Sequence, residues 1–387
     1  MNNRQQIITT AILAASLCSI ILPISLQAGL QGTCSDCHTM HNSQDGGPMN
    51  FDTDDDTPNE NLLRGDCYGC HAMNDNFSLY TQTTDAIPQV MHTDYSNDLA
   101  AGNFKYIDLY GSNRGHNISD LTGTDTILYE PPGLLGFAHM GNINTDTLTC
   151  AGKIGCHGYR NPESPLPDGV RGAHHSNVDG KLDQADKPGN SYRFLMGVKG
   201  TESPDWEINP GSLSHNEYYG KIEPIAMSGC SKLNISGPGC HSSEGVQPPD
   251  GTMSQFCATC HGNFHTLAFT GTDGFYDGIG DDAVSPFIRH PTDLALPNSG
   301  EYANYNTNRT YDPQVPIART DEGGGLPDTP SQTVTPGFDA VMCLSCHRAH
   351  ASEYPDMLRW NYSRIVAASG DDSEGGCFIC HTTKDDV

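Results

Sequence analysis

Apolar side chains are scarce in this sequence. Hydrophobic residues make up 36% of its 387 positions, there are only two tryptophans, and 42 glycines and 25 prolines break up what apolar pattern exists. That composition is a poor basis for a conventional core, and by itself it would push the segments between cysteines toward disorder. Something other than aliphatic packing must hold the chain together. Cations are also few: 20 Lys and Arg stand against 47 Asp and Glu, for a formal charge of -27 and a pI near 4.7. A nucleic-acid partner is therefore not expected, because phosphate binding needs the opposite sign of charge and a basic patch that the sequence lacks.

Residues 1 to 28 lack acidic side chains altogether. They carry one cation, Arg4, then an apolar stretch from Ile7 to Ile24 that ends in Ser25, Gln27 and Ala28. This pattern predicts a secretory signal cleaved after Ala28. An uncleaved anchor is the alternative, against which Pro23 and the short tail argue. A lipoprotein site at Cys18 fits badly with Leu17 before it. Cleavage would leave residues 29–387 as a single domain with 14 of the 15 cysteines and a formal charge of -28.

What the sequence has in abundance is cysteine followed by histidine. Export to an oxidising compartment makes a disulfide framework the plain reading of an even count. It does not explain why His follows the second cysteine in Cys34-Ser-Asp-Cys37-His38, Cys67-Tyr-Gly-Cys70-His71, Cys257-Ala-Thr-Cys260-His261, Cys343-Leu-Ser-Cys346-His347 and Cys377-Phe-Ile-Cys380-His381. Each is a C-x-x-C-H attachment site for haem c. The chemistry needs this spacing because two thiols add to the two vinyl groups of one porphyrin while the adjacent imidazole reaches the iron. A zinc ribbon built from Cys34, Cys37, Cys67 and Cys70 is the competing metal reading. It has no use for His38 and His71, and it leaves the other three copies unexplained.

Two further pairs end in Cys-His with longer loops: Cys150 to Cys156-His157, with five intervening residues, and Cys230 to Cys240-His241, with nine. Lengthening the loop adds only about 0.8 or 1.3 kcal/mol of closure entropy, so covalent attachment can absorb it. Disulfides or single thioethers remain the alternative at these two sites. With both counted, the expectation is about seven haems, with proximal ligands His38, His71, His157, His241, His261, His347 and His381.

Ten histidines remain as distal candidates: His41, His92, His116, His139, His174, His175, His215, His265, His290 and His350. Supply exceeds the seven that bis-histidine ligation would use, so nothing requires an open iron of the kind a multihaem reductase keeps for its substrate. Without a Met ligand to raise them, such haems favour low potentials. Three candidates follow a proximal ligand closely: His41 after His38, His350 after His347, and His265 after His261. On a helical turn such pairs share a face, whereas two ligands of one iron approach from opposite sides. Each second histidine is therefore expected to serve a different haem. The segments 72–149, 158–229 and 262–342 hold eight of the ten candidates, which suggests loops that fold back to cap haems. The predicted fold is mostly irregular and loop-rich, with short helical turns following the attachment sites, few strands, and the haem stack as core.

The stretches Cys34 to Ser43, Gly115-His-Asn-Ile118, Cys257 to His265, Arg289-His-Pro291 and Cys343 to Ser352 resemble, in this order, the OmcS-type extracellular cytochromes of metal-reducing bacteria. The resemblance implies a secreted electron carrier, not an enzyme, that polymerises with itself into a filament through which a haem chain runs. It further implies that His41 ligates the haem attached at Cys343 and Cys346 of an adjacent subunit, and that the partners are upstream periplasmic or outer-membrane cytochromes and extracellular electron acceptors. The two extended sites depart from the pattern. A soluble periplasmic shuttle and a multihaem reductase with one open iron are the other readings of the same motifs.

Overall fold

The computed structural model describes residues 35, 38–48, 58–59, 62–65, 67–72, 89–91, 99, 101–125, 127–128, 130–133, 148–151, 154–158, 191–201, 215–222, 251–265, 269–270, 276–277, 279, 287–305, 310–367 and 376–384. The proposed signal segment, Cys34, Cys37, Cys230, Cys240, His92, His139, His174, His175 and His241 lie outside the described residues.

The α-helices Cys67–His71, Lys105–Tyr110, Ser119–Thr122, Met253–Ala258 and Cys377–Cys380 are each six residues or shorter. Strands come as five separate two-stranded ladders, each strand two or three residues long. The loop-rich architecture is the one expected. No described helix is long and apolar enough to cross a membrane.

Helical turns carry the attachment motifs, and a short 3-10 turn, Gly262–Phe264, follows the one at His261. In three of the standard sites the histidine N–H donates to the carbonyl of the first cysteine: His261 to Cys257 at 3.0 Å, His347 to Cys343 at 3.1 Å and His381 to Cys377 at 2.9 Å. An i to i+4 bond of this kind closes one turn, so cysteines three apart and the histidine four along emerge on one side. The Met253–Ala258 helix that delivers Cys257 starts at Thr252, whose hydroxyl accepts the Gln255 N–H at 3.1 Å. That N-cap satisfies a backbone donor the helix itself leaves open.

The five-residue site is built differently. The strands Thr149–Ala151 and Gly155–His157 pair in parallel, with Thr149 opposite Gly155 and Ala151 opposite His157. Cys150 therefore lies beside Cys156, and neither forms a disulfide. A Cβ at residue 155 would stand 2.4 Å from the Ala151 carbonyl carbon, so only glycine permits this tight spiral.

Among the described residues, three small apolar clusters each border attachment cysteines. Tyr192, Val198, Met253, Phe256 and Met342 pack against Cys156 and Cys257. Leu296, Tyr305, Ile317, Trp360 and Ile379 pack against Cys346 and Cys380. Phe104, Ile107, Ile118 and Ala351 pack beside Cys150. The scarce apolar residues of the sequence are thus spent around the thiols, where a bound macrocycle would continue the apolar surface.

Candidate functional site

Histidines from distant parts of the chain meet in pairs. The His116 and His261 ring centroids are 6.0 Å apart, those of His157 and His350 6.2 Å, and those of His290 and His381 6.3 Å. Each pair joins a histidine of an attachment motif to one of the distal candidates. His350, three residues beyond His347, faces the histidine of another site rather than its neighbour's.

Hydrogen bonds at the rear nitrogen orient these rings. Nδ1 of His116 donates to the Ala349 carbonyl at 2.7 Å, His261 to Pro132 at 2.7 Å, His157 to Arg193 at 2.9 Å, His347 to Asp356 at 2.7 Å and His290 to Pro291 at 3.0 Å. Nδ1 of His381 lies 2.8 Å from Oε1 of Glu301. An acceptor at Nδ1 fixes the hydrogen there and leaves the Nε2 lone pair free, which is the tautomer a metal ligand needs. His350 is the exception, with a buried Nδ1 that has no partner.

Burial keeps several of these rings neutral. It pushes the pKa of His116, His290 and His347 below the ordinary histidine value, that of His261 down to about 4 with His116 adding to the effect, and that of His350 to about 3 with His157 adding. Neutral imidazole is the form that binds a metal.

The thiols of different motifs also approach one another. Cys257 hydrogen-bonds Cys343, which pushes the Cys257 thiol well up and brings Cys343 down to about 7. Cys257 also feels Cys156, while Cys346, raised by burial to about 12, feels Cys377 and Cys343. Four attachment sites thereby form a succession: 150/156, then 257/260, 343/346 and 377/380.

His265 and His215 are held in another way. Nε2 of His265 lies 2.8 Å from Oδ2 of Asp293, which also accepts the Thr252 hydroxyl at 3.1 Å. Burial alone would lower the His265 pKa, but the hydrogen bond and charge of Asp293 outweigh it and raise the value. Nε2 of His215 lies 2.9 Å from Oε2 of Glu217, and its ring stacks on Tyr311 at 3.6 Å. Arg319 links Glu217 to Asp339 at 3.6 and 3.3 Å, and all three acidic residues of these two pockets are fully buried. Nothing in the sequence spacing separated these two histidines from the paired ones.

At the amino-terminal end, His38 forms a bridge to Leu63, and the Thr39 N–H donates to the Leu62 carbonyl at 2.7 Å. His41 is exposed beside Met40, which is 78% exposed. Among the described histidines none faces His347 at the spacing of the three pairs.

A porphyrin fits this donor set. Two imidazoles sharing one iron at about 2 Å per bond stand with their centroids about 6 Å apart, with free rotation about the bond axis. The paired rings satisfy that spacing at three sites, each with two unbridged thiols at its border.

A family model described as a doubled CXXCH motif matches residues 336–386. The chain is similar to "C-type cytochrome OmcS" of Geobacter sulfurreducens, 26% identical over 416 aligned positions that cover 94% of this chain and 87% of that protein. Among solved structures it is similar to the "Outer Membrane Cytochrome S Filament" of the same organism at 20% identity, covering 88% of this chain and 86% of that one, with a TM-score of 0.43. A cryo-EM structure of OmcS nanowires gives 18% identity, 92% and 93% coverage and a TM-score of 0.44. The resemblance carried by the motifs therefore extends, in sequence, over nearly the whole chain.

Proposed function

We propose that the protein is an extracellular electron carrier, a multihaem c-type cytochrome whose subunits polymerise into a filament. A bound haem supplies a one-electron ferric–ferrous couple; the chain supplies attachment, ligation and spacing. Cys257, Cys260 and His261 hold one haem with His116 as distal ligand, Cys150, Cys156 and His157 a second with His350, and Cys377, Cys380 and His381 a third with His290. The observation that carries this reading is the common 6.0 to 6.3 Å spacing of the three histidine pairs. The succession of neighbouring thiols supports a continuous electron path through these sites and the one at Cys343, Cys346 and His347. Similarity to OmcS supports the carrier role over an enzymatic one.

His215 and His265 serve as buried structural partners of Glu217 and Asp293. In each, Nε2 is held by a buried carboxylate rather than facing another histidine. His41 is the ligand donated to the Cys343/Cys346 site of the next subunit. Its exposure beside Met40 supports that role. Cleavage after Ala28 and about seven haems per chain complete the proposal.

Intact mass and a pyridine haemochrome assay test it, with seven haems expected. Five would remove the sites at His157 and His241. Electron microscopy tests the polymer: filaments are expected for the native chain, and monomers or short oligomers with one high-spin haem for His41→Ala. Long, fully low-spin filaments from that variant would refute the role of His41.

A further inference from the structure

The rear hydrogen bonds of the ligand histidines are not equivalent, and one stands apart. Five of these rings donate Nδ1–H to a backbone carbonyl, a neutral acceptor, whereas His381 faces the carboxylate of Glu301 at 2.8 Å. Glu301 is well placed for this. It lies in the turn Gly300–Tyr302, and its backbone carbonyl accepts the Thr383 N–H at 3.1 Å and the Thr382 hydroxyl at 3.0 Å. The turn therefore clamps the segment that carries His381. The other carboxylate oxygen, Oε2, binds the Lys384 ammonium at 3.0 Å. The Tyr302 ring closes over His381 at 4.8 Å.

A hydrogen bond to an ionised acceptor is shorter and stronger than one to a neutral carbonyl. Donated by a ligand imidazole, it draws the hydrogen from Nδ1, adds electron density to the ring and makes Nε2 a stronger donor. Stronger donation favours ferric over ferrous iron, and hydrogen bonding around the axial ligands is one of the levers by which a protein sets a haem potential. We propose that Glu301 is a positioning residue for His381 that lowers the potential of the site at Cys377 and Cys380, with Lys384 moderating its strength by sharing the carboxylate. The proposal rests on the reading that His381 ligates a haem iron. It ranks the described sites: His381, backed by a carboxylate, at one extreme, and His350, whose Nδ1 has no partner, at the other.

The test uses the haem-loaded full chain and two substitutions of opposite sense. Glu301→Gln keeps an acceptor and removes its charge, so one haem per chain should titrate at a higher potential in spectroelectrochemistry. Lys384→Ala frees the carboxylate for His381, so the same haem should move to a lower potential. In both variants the EPR difference from wild type should show one low-spin signal, integrating to one iron per chain, displaced in its largest g-value. A potential that moves with no change in g-value would reduce the effect to a through-space charge and overturn the hydrogen-bond route. Loss of thermal stability with potentials unmoved would leave Glu301 as a clamp only and overturn the proposal as well. If Glu301→Gln fails to mature, Lys384→Ala carries the decision alone. The haem count of the wild-type chain separates the two levels of the argument: an empty Cys377/Cys380 site refutes the functional reading, whereas a loaded site that ignores both substitutions refutes only this inference.

Discussion

His261 and His265 lie four residues apart in one stretch of chain, yet their surroundings have opposite chemistry. His261 donates its rear nitrogen to a backbone carbonyl and faces His116, and burial brings its pKa to about 4. His265 gives Nε2 to the buried carboxylate of Asp293, which raises its pKa. A carbonyl behind the ring leaves a neutral imidazole with a free front nitrogen; a carboxylate in front of it makes an ion pair and occupies that nitrogen. Proximity to a Cys-x-x-Cys-His motif does not decide which of the two a histidine becomes. The acceptor that the tertiary fold brings to it does.

The largest expected effect breaks the comparison most directly. On the proposed ligation, His116→Ala and His290→Ala would each remove one of two axial ligands, so one haem per chain should turn high-spin and bind carbon monoxide. His265→Ala and His215→Ala should leave every haem low-spin. A carbon monoxide-binding haem in either of the latter two would erase the distinction.

Stability should divide the same residues in the other direction. His265→Ala strands the Asp293 carboxylate in a fully buried site, and breaking a buried pair from one side costs about 3–5 kcal/mol. A clear drop in the thermal midpoint of the haem-loaded protein is expected, larger than that of Asp293→Asn, which removes the charge along with the partner. Equal midpoints for His265→Ala and wild type would show that the pair carries no structural weight.

A pH series sharpens the contrast. The folded-state pKa of His265 is raised above its unfolded value. Its contribution is therefore fully present below the ordinary histidine pKa of about 6.5 and is lost as pH rises through the folded value. The stability difference between wild type and His265→Ala should shrink as the buffer is taken from mildly acidic to alkaline. A difference that grows over that range would contradict the assignment.

The smallest expected effect concerns the ligand with no rear acceptor. His350 is placed by backbone and by the Phe104 ring stacked on it at 4.8 Å: its N–H donates to the Ala101 carbonyl at 2.6 Å, and its carbonyl accepts the His116 N–H at 3.0 Å. Gly102, at φ +93°, lies against the next residue, where an added Cβ would meet the Ala351 carbonyl oxygen at 1.7 Å. Gly102→Ala should therefore displace His350 and turn part of one haem population high-spin, read by EPR. An unchanged low-spin spectrum would mean that the ring is held by something other than this backbone sandwich.

The motifs and the loop-rich architecture were legible in the sequence because each follows from local chemistry. Cysteines three apart with histidine next define one helical turn, and scattered glycines and prolines forbid long elements. The strand-paired geometry at Cys150 and Cys156 was not legible, since it depends on a parallel register that only Gly155 allows. The split between His265 and the paired histidines was equally hidden: Asp293 is 28 residues from His265, and no spacing rule connects them.

By itself the sequence determined which thiols and histidines sit together at the standard sites at His261, His347 and His381, because one turn of backbone joins them. It also determined the excess of histidine and the excess of acidic over basic residues. Tertiary structure decided which histidine faces which, since a pair such as His290 and His381 comes from segments 91 residues apart and forms only when separate loops are packed against the same apolar cluster. It also decided whether each ring's rear nitrogen meets a carbonyl, a carboxylate or nothing. Those contacts depend on burial and on the direction in which a distant backbone or side chain arrives, quantities that residue order along the chain does not encode locally.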